Sequence, residues 1–424
     1  VSNTRKESAW WRFVGPAVRH IRLSNYKSIA ACNVVLSPLT VVVGRNGAGK
    51  SNLLDALAFV AESMQTSVDA AVASRGGIDA VRRRSTGHPR SVGLELEVRL
   101  PNWQLASYAF SIRESEPGGL EVVAERATVK DDEGRLLATL RRDASSILEA
   151  PFKAPPPPRA SHLYLPRAAA CDTVFGSLHE TLGAMVRYQL PAAAGKALRP
   201  SDGGMLLASD GSNLASVVTR LAYTEPETLA RIAAHLGALV PGVVSIEPST
   251  VGPYVTLRFR QHMAGARHPW RFQAIEAADG TLRALAVLVA AFQDLGHHGV
   301  LGLAAIEEPA VSLHPATVPA IVEALREAAQ STQVLATSHR AELIDALDPK
   351  RDSLLLAVAD GGRCRIETVA GPGVGTPGEG RGKAAGDDRR SPLSPGDLLR
   401  SNQLRAARKS AHREDQMSLF GSDG

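Results

Sequence analysis

The chain has 424 residues, 44% hydrophobic and 21% charged, with a formal net charge of +5. Its three cysteines, Cys32, Cys171 and Cys364, are scattered and argue against a disulfide framework or a CxxC zinc site. No apolar run approaches the ~20 residues of a membrane helix, and "VSNTRKESAWWRFVG" lacks a signal peptide's apolar core, so a reducing, cytoplasmic setting is expected. The positive balance is compatible with nucleic-acid contact without selecting it.

In chain order, "VRHIRLSNYKSIAACNVVLSPLTVVVG" reads as two alternating strands and then a continuous apolar one, Leu39 to Val43. That last strand has the profile of a sheet covered on both faces. A helix follows in "SNLLDALAFVAESM", with Leu53, Leu54, Leu57 and Val60 at helical spacing. From Ser91 to about Arg141, alternation with turn signals predicts an antiparallel β-subdomain. "APFKAPPPPRA" is a stiff connector, and about Ala168 to Leu239 reads as helical, with a helix start at "TEPE". Strands near Tyr254–Arg260, the helix "GTLRALAVLVAAFQDL", the strand Leu301–Ile306, the helix "PATVPAIVEALREAAQ" and the strands "QVLAT" and "DSLLLAVA" complete the folded part. This alternation predicts an α/β fold with a mostly parallel sheet. Past Ala370 the sequence is rich in Gly, Pro and charge, and the basic "LLRSNQLRAARKSAHR" there could form a helix on a partner.

"GRNGAGKS", Gly44 to Ser51, fits GxxxxGK[ST] between a predicted strand and a predicted helix. Backbone N–H groups of Gly44, Arg45, Asn46, Gly47, Ala48 and Gly49 would curl around nucleotide phosphates, with Asn52 just inside the helix. Lys50 would reach the β- and γ-phosphates, and Ser51 would ligate Mg²⁺. The strand Leu301–Ile306 ends in Glu307, Glu308 and Pro309. Alternation turns the two acids apart, so Glu307 is expected to hold the metal and Glu308 to polarise the attacking water.

The pieces together resemble the ABC-type ATPase heads of the RecF, SMC and OLD group, especially compact OLD-like "AAA family ATPase" proteins. "IRLSNYKSIAACNVVLSPLTVVVGRNGAGKSNLLDAL" is similar to their N-terminal strands and Walker A, and "IEEPAVSLHP" to their Walker B and D-loop. "QVLATSHRAELIDAL" resembles their switch-histidine segment, which implies His339 near the γ-phosphate. "LLASDGSNLASVVTRL" and "EAADGTLRALAVLVAAF" match two further stretches, the second being the family's signature. The resemblance spans about residues 20 to 345. It implies a P-loop ABC-type ATPase head with these units: an N-terminal lobe (1–90), a β-subdomain (91–150), a connector and helical insertion (151–265), a C-terminal lobe (266–370) and a flexible basic tail (371–424).

One position departs from the family. Ala278 stands where the signature serine is expected, so a phosphate contact across a dimer would fall to the N–H groups of Asp279 and Gly280 or to Thr281. Arg283 either reaches such a phosphate or caps a polar face of its own helix. The Q-loop glutamine has no clear place, with Gln104 a candidate by default. Trp10 and Trp11 either anchor a partner or pack on the fold.

The resemblance implies ATP and Mg²⁺ as cofactors, a homodimer or higher homo-oligomer, and no membrane association. It also implies a switch in DNA repair or phage defence that works with a separately encoded effector, a nuclease being the expected kind. "VRRRS" (Val81–Ser85) and the basic run Arg400–Arg413 are either nucleic-acid contacts or solvated faces. The alternative is an ATP-binding scaffold with little hydrolysis, favoured by Ala278. A transporter ATPase subunit fits the rearranged signature poorly.

Overall fold

The computed structural model describes residues 13, 15–84, 89–115, 119–151, 157–293 and 301–370. Trp10, Trp11, Ser85, part of the polyproline connector and the tail from 371 lie outside the described residues.

The strands in chain order are β1 (Ala17–Tyr26), β2 (Ile29–Val35), β3 (Leu39–Val43), β4 (Ser91–Arg99), β5 (Leu105–Ser115), β6 (Gly119–Lys130), β7 (Leu136–Asp143), β8 (Ile147–Glu149), β9 (Met185–Tyr188), β10 (Arg199–Pro200), β11 (Val243–Val251), β12 (Tyr254–Gln261), β13 (Trp270–Gln273), β14 (Leu303–Glu307), β15 (Val334–Ser338), β16 (Ser353–Asp360) and β17 (Arg363–Ala370). Thirteen of them form one sheet in the order β8-β7-β6-β5-β4-β1-β2-β17-β16-β3-β15-β14-β9. From β16 to β9 every neighbouring pair is parallel, and this half carries the phosphate loop. The fold is thus the expected α/β class.

The apolar runs at the centre are explained by burial on both faces. Val42, Ala305, Leu335 and Leu355 join a core with Leu53, Leu57 and Phe59 of the helix Lys50–Gln65. Val41, Val43, Ala304, Ile306, Val334 and Ala336 join a second core with Leu285 and Leu288 of the helix Asp279–Phe292. A strand between two cores has no polar face, which removes the alternation seen in β2.

Two expectations about organisation change in detail. The strands β4–β8 are antiparallel as expected, but they are not a separate subdomain: β4 pairs with β1, so they continue the main sheet. The stretch expected as a helical insertion holds the helices Leu214–Thr224 and Pro226–Leu239, broken at Pro226 as predicted. It also holds β9, the parallel edge strand beside β14, and β10 and β11, which join β12 and β13 in a second, antiparallel sheet. Four residues on an edge are too few to show a strand period against helical neighbours.

Candidate active site

The phosphate loop turns directly from β3 into the helix Lys50–Gln65. A Cβ on Gly44 would lie 2.4 Å from the Ala357 carbonyl oxygen, so the loop can pass β16 only without a side chain. Gly49, at φ +94°, is the N-cap, and a Cβ there would come 2.7 Å from Cys364 Sγ and 2.8 Å from Ser28 Oγ. Inside the loop, Ala48 N–H donates to the Arg45 carbonyl at 3.1 Å, and Lys50 Nζ donates to the Gly44 and Arg45 carbonyls at 2.9 and 3.1 Å. Lys50 is thereby folded back along the cradle its neighbours form. Burial pushes its pKa below the ordinary lysine value, against the opposing pull of the Glu308 and Glu307 charges. Asn52 donates to Ser28 Oγ at 2.7 Å and pins the first helical turn to the β1–β2 turn. Its side chain therefore braces the loop from behind.

Glu307 and Glu308 separate as expected, by a route that alternation alone did not foresee. β14 ends at Glu307, and Glu308 leaves the strand in a left-handed conformation with φ +47°. Ser51 Oγ donates to Glu307 Oε2 at 3.1 Å. Glu308 instead turns towards the switch segment, where His339 Nδ1 lies 2.9 Å from its Oε1 and Lys50 Nζ lies 3.9 Å from the same oxygen. Thr337 on β15 receives the Glu308 N–H at 3.2 Å. The Gly44–Ser51 loop, the acidic end of β14 and His339 thus converge at the ends of three adjacent parallel strands, β3, β15 and β14.

Three residues that sequence reading missed, Arg187, Gln189 and Asp55, surround the Glu307 carboxylate or its partners. On β9 and just beyond it, Arg187 Nε donates to Glu307 Oε1 at 2.6 Å, and Gln189 Nε2 donates to the same oxygen at 3.2 Å. Gln189 is therefore the glutamine that meets the Walker B acid. Gln104, the default candidate, lies between β4 and β5, where its carbonyl accepts from Leu100 N–H. Arg187 Nη1 also contacts Asp55 Oδ1 at 2.9 Å. Asp55 Oδ2 in turn accepts from Tyr26 Oη at 2.6 Å and from Arg75 Nε at 3.3 Å, and it pairs with Lys27 Nζ at 2.6 Å. Burial alone would raise the Asp55 pKa. Hydrogen bonds from Lys27 and Tyr26 and the charges of Arg75 and Lys27 outweigh it, and the net shift is downward. The one available signal was that Asp55 follows Ser51 by four residues, a single helical turn.

The residues present fit a hard divalent cation on nucleotide phosphates. Ser51 Oγ and Glu307 Oε2 are two oxygens held 3.1 Å apart beside the loop. Among the described residues no group of three or more His, Cys, Asp or Glu forms a metal cage. Mg²⁺ sites commonly need only one or two carboxylates, because phosphates supply further ligands. A cleft of about 860 Å³ opens next to these groups, lined among others by Asp55, Arg187, Gln189, Arg283, Glu307 and Glu308.

The signature residues sit elsewhere in the same chain. Ala278 is the N-cap of the helix Asp279–Phe292 and makes no side-chain cap bond. Asp279 pairs with Lys196 at 2.6 Å, Thr281 is buried, and Gly280 packs so closely that a Cβ would lie 2.9 Å from the Ser312 carbonyl oxygen. Arg283 points into its own chain. Its Nη1 donates to the Leu190 carbonyl at 2.8 Å, and its Nη2 to the Glu307 and Glu308 carbonyls, each at 3.3 Å. Of "VRRRS", Arg82 pairs with Asp79 at 2.6 Å and Arg83 donates to Asn25 Oδ1 at 3.3 Å. No helix among the described residues is long and apolar enough to cross a membrane.

Comparisons with known proteins bear on the fold and the family. A family model described as "AAA ATPase domain" matches residues 17–112, and one described as "AAA domain, putative AbiEii toxin, Type IV TA system" matches residues 196–345. The chain is 38% identical over 85 residues to the DNA replication and repair protein RecF of Pseudarthrobacter chlorophenolicus, covering 19% of this chain and 21% of that protein. It is 37% identical over 86 residues to RecF of Clavibacter sepedonicus, covering 20% of each. The matched part thus spans about a fifth of the length of these curated relatives. Among solved structures, an Smc head bound to the C-terminal winged-helix domain of ScpA superposes with a TM-score of 0.52 at 13% identity, over 84% of this chain and 98% of that one. The Smc head domain with an extended coiled coil, bound to the C-terminal domain of ScpA derived from Pyrococcus furiosus, gives 0.51 at 12%, over 84% and 96%. At these identities the likeness is one of fold. Together with the order of the motifs, these matches support a RecF/SMC-type ABC ATPase family for this chain.

Proposed function

We propose that the protein is a Mg²⁺-dependent switch that binds and hydrolyses ATP, with Glu308 as the residue that polarises the attacking water. The observation that carries this reading is the convergence of Lys50, Ser51, Glu307, Glu308 and His339 at one end of the parallel strands. Lys50 and the loop N–H groups bind the phosphates, and Ser51 and Glu307 hold the metal, with Gln189 fixing the orientation of Glu307. The metal supplies charge neutralisation at the phosphate oxygens. Glu308 takes up the water proton at Oε1 or Oε2, while His339 holds that carboxylate in place.

The same reading makes the protein a homodimer in which the exposed Asp279 and the N–H groups at the start of the signature helix face nucleotide bound to the other copy. Thr281, buried in the single chain, is left a packing role. The setting is DNA repair or phage defence, with a separate effector, such as a nuclease, doing the work. The RecF description of the curated relatives supports the first setting, and the toxin–antitoxin description of the matched family supports the second. A scaffold with little turnover is the second reading, favoured by the missing hydroxyl at Ala278.

The test is steady-state phosphate release by the full chain with and without duplex DNA, alongside Lys50→Ala. Turnover that DNA stimulates and that Lys50→Ala abolishes supports the DNA-linked switch. ATP binding without turnover under either condition selects the scaffold.

A further inference from the structure

Arg283 lies one turn into the signature helix, yet its guanidinium hydrogen bonds go to other segments of the chain. One guanidinium holds carbonyls from two catalytic segments: Leu190, directly after Gln189, and the consecutive pair Glu307 and Glu308. The Glu308 carbonyl also accepts the Val311 N–H at 3.1 Å, closing a turn. Glu308 is held in a conformation that a residue with a side chain seldom adopts, φ +47°. Its N–H is fixed by Thr337 and its carbonyl by Val311 and Arg283, so both peptide groups flanking the strained Cα have partners.

We propose that Arg283 is a positioning residue for hydrolysis, a clamp that ties the signature helix to the backbone of Glu308 and of the Gln189–Leu190 turn. The proposal rests on the reading of the protein as an ATPase. A rigid helix that moves at its N-terminus carries Arg283 with it, and with Arg283 move the base and the glutamine on the metal acid. The close seat of Gly280 on the Ser312 carbonyl joins the same helix to the loop after Glu308, so the helix grips that loop at two points. Arginine suits the task because its planar fork spans acceptors on two segments at fixed angles, whereas an ammonium is a compact point donor on a flexible stem.

The experiment uses the full chain with Arg283→Lys and Arg283→Gln. It combines steady-state phosphate release, ATP affinity by fluorescence titration, and amide hydrogen exchange without nucleotide. The clamp predicts a fall in kcat of at least tenfold in both variants, with ATP affinity within about twofold of wild type. Faster exchange should be confined to the amides of residues 189–190 and the non-proline amides of 307–313, while β3 and β15 keep wild-type protection. Wild-type turnover in Arg283→Lys, or lost turnover with unchanged exchange at 307–313, overturns the clamp. Faster exchange throughout the parallel sheet also overturns it, because it shows a merely structural role. A wild type that binds ATP but does not turn it over fails the ATPase reading itself, an outcome distinct from the others.

Discussion

His339 Nδ1 lies 2.9 Å from Glu308 Oε1, joining residues that follow two neighbouring parallel strands. The contact fixes the carboxylate at the site's rim, where a free glutamate side chain would sample several rotamers. His339→Ala is expected to lower kcat on the order of 100-fold, the scale of a roughly 1 Å misplacement of a reacting group, with little change in ATP affinity. Phosphate release and a binding titration check this. Equal losses in both would assign His339 to nucleotide binding instead.

Gly49→Ala should abolish nucleotide binding. The added methyl meets Cys364 Sγ and Ser28 Oγ, both under 3 Å away, on a residue at φ +94°. Backbone strain of this kind costs about 1–3 kcal/mol before the clash is counted. The predicted result is a folded protein, unchanged in far-UV circular dichroism, that no longer binds ATP.

Gln189→Ala removes an outer partner of the Glu307 carboxylate. Losing such a partner typically weakens metal affinity about 10–100-fold. The Mg²⁺ concentration for half-maximal hydrolysis should therefore rise by roughly tenfold, with kcat recovered at saturating metal. Chelation with EDTA should stop wild-type and variant turnover alike. A Mg²⁺ titration that superposes on wild type would remove Gln189 from the metal side.

Asp55 links stability to pH. Its carboxyl titrates below the ordinary value of 3.8 in the folded chain, so its contribution is present above that value and is lost as pH falls through the lowered one. Asp55→Asn leaves Lys27, Arg75 and Arg187 facing a neutral group. Removing one partner from a buried ionic cluster costs about 3–5 kcal/mol, so the variant should melt lower at neutral pH. The gap from wild type should narrow below pH 4. A constant gap from pH 7 to pH 3 would contradict this assignment.

What could be read from the sequence was what is local in the chain. Gly44–Ser51, the run ending at Glu307 and Glu308, and His339 after "QVLATS" each declare themselves within a dozen residues, because one strand and its following turn build each of them. Arg187 and Gln189 sit on and just after a four-residue edge strand and meet Glu307 across 120 and 118 positions. No periodicity encodes such a meeting. Arg283 could be assigned to neither of its two roles, because helical spacing gives the face it occupies but not which loop turns a carbonyl towards it. The left-handed Glu308 was likewise hidden, since alternation assumes that a strand continues.

The most direct measurement is steady-state phosphate release by Glu308→Gln beside wild type, with ATP binding measured on both. The substitution keeps the size of the side chain and removes its ability to take a proton. The expected result is retained ATP binding with turnover lowered about 100- to 10,000-fold, the usual contribution of a general base. Wild-type turnover in Glu308→Gln would contradict it and take the base role from Glu308.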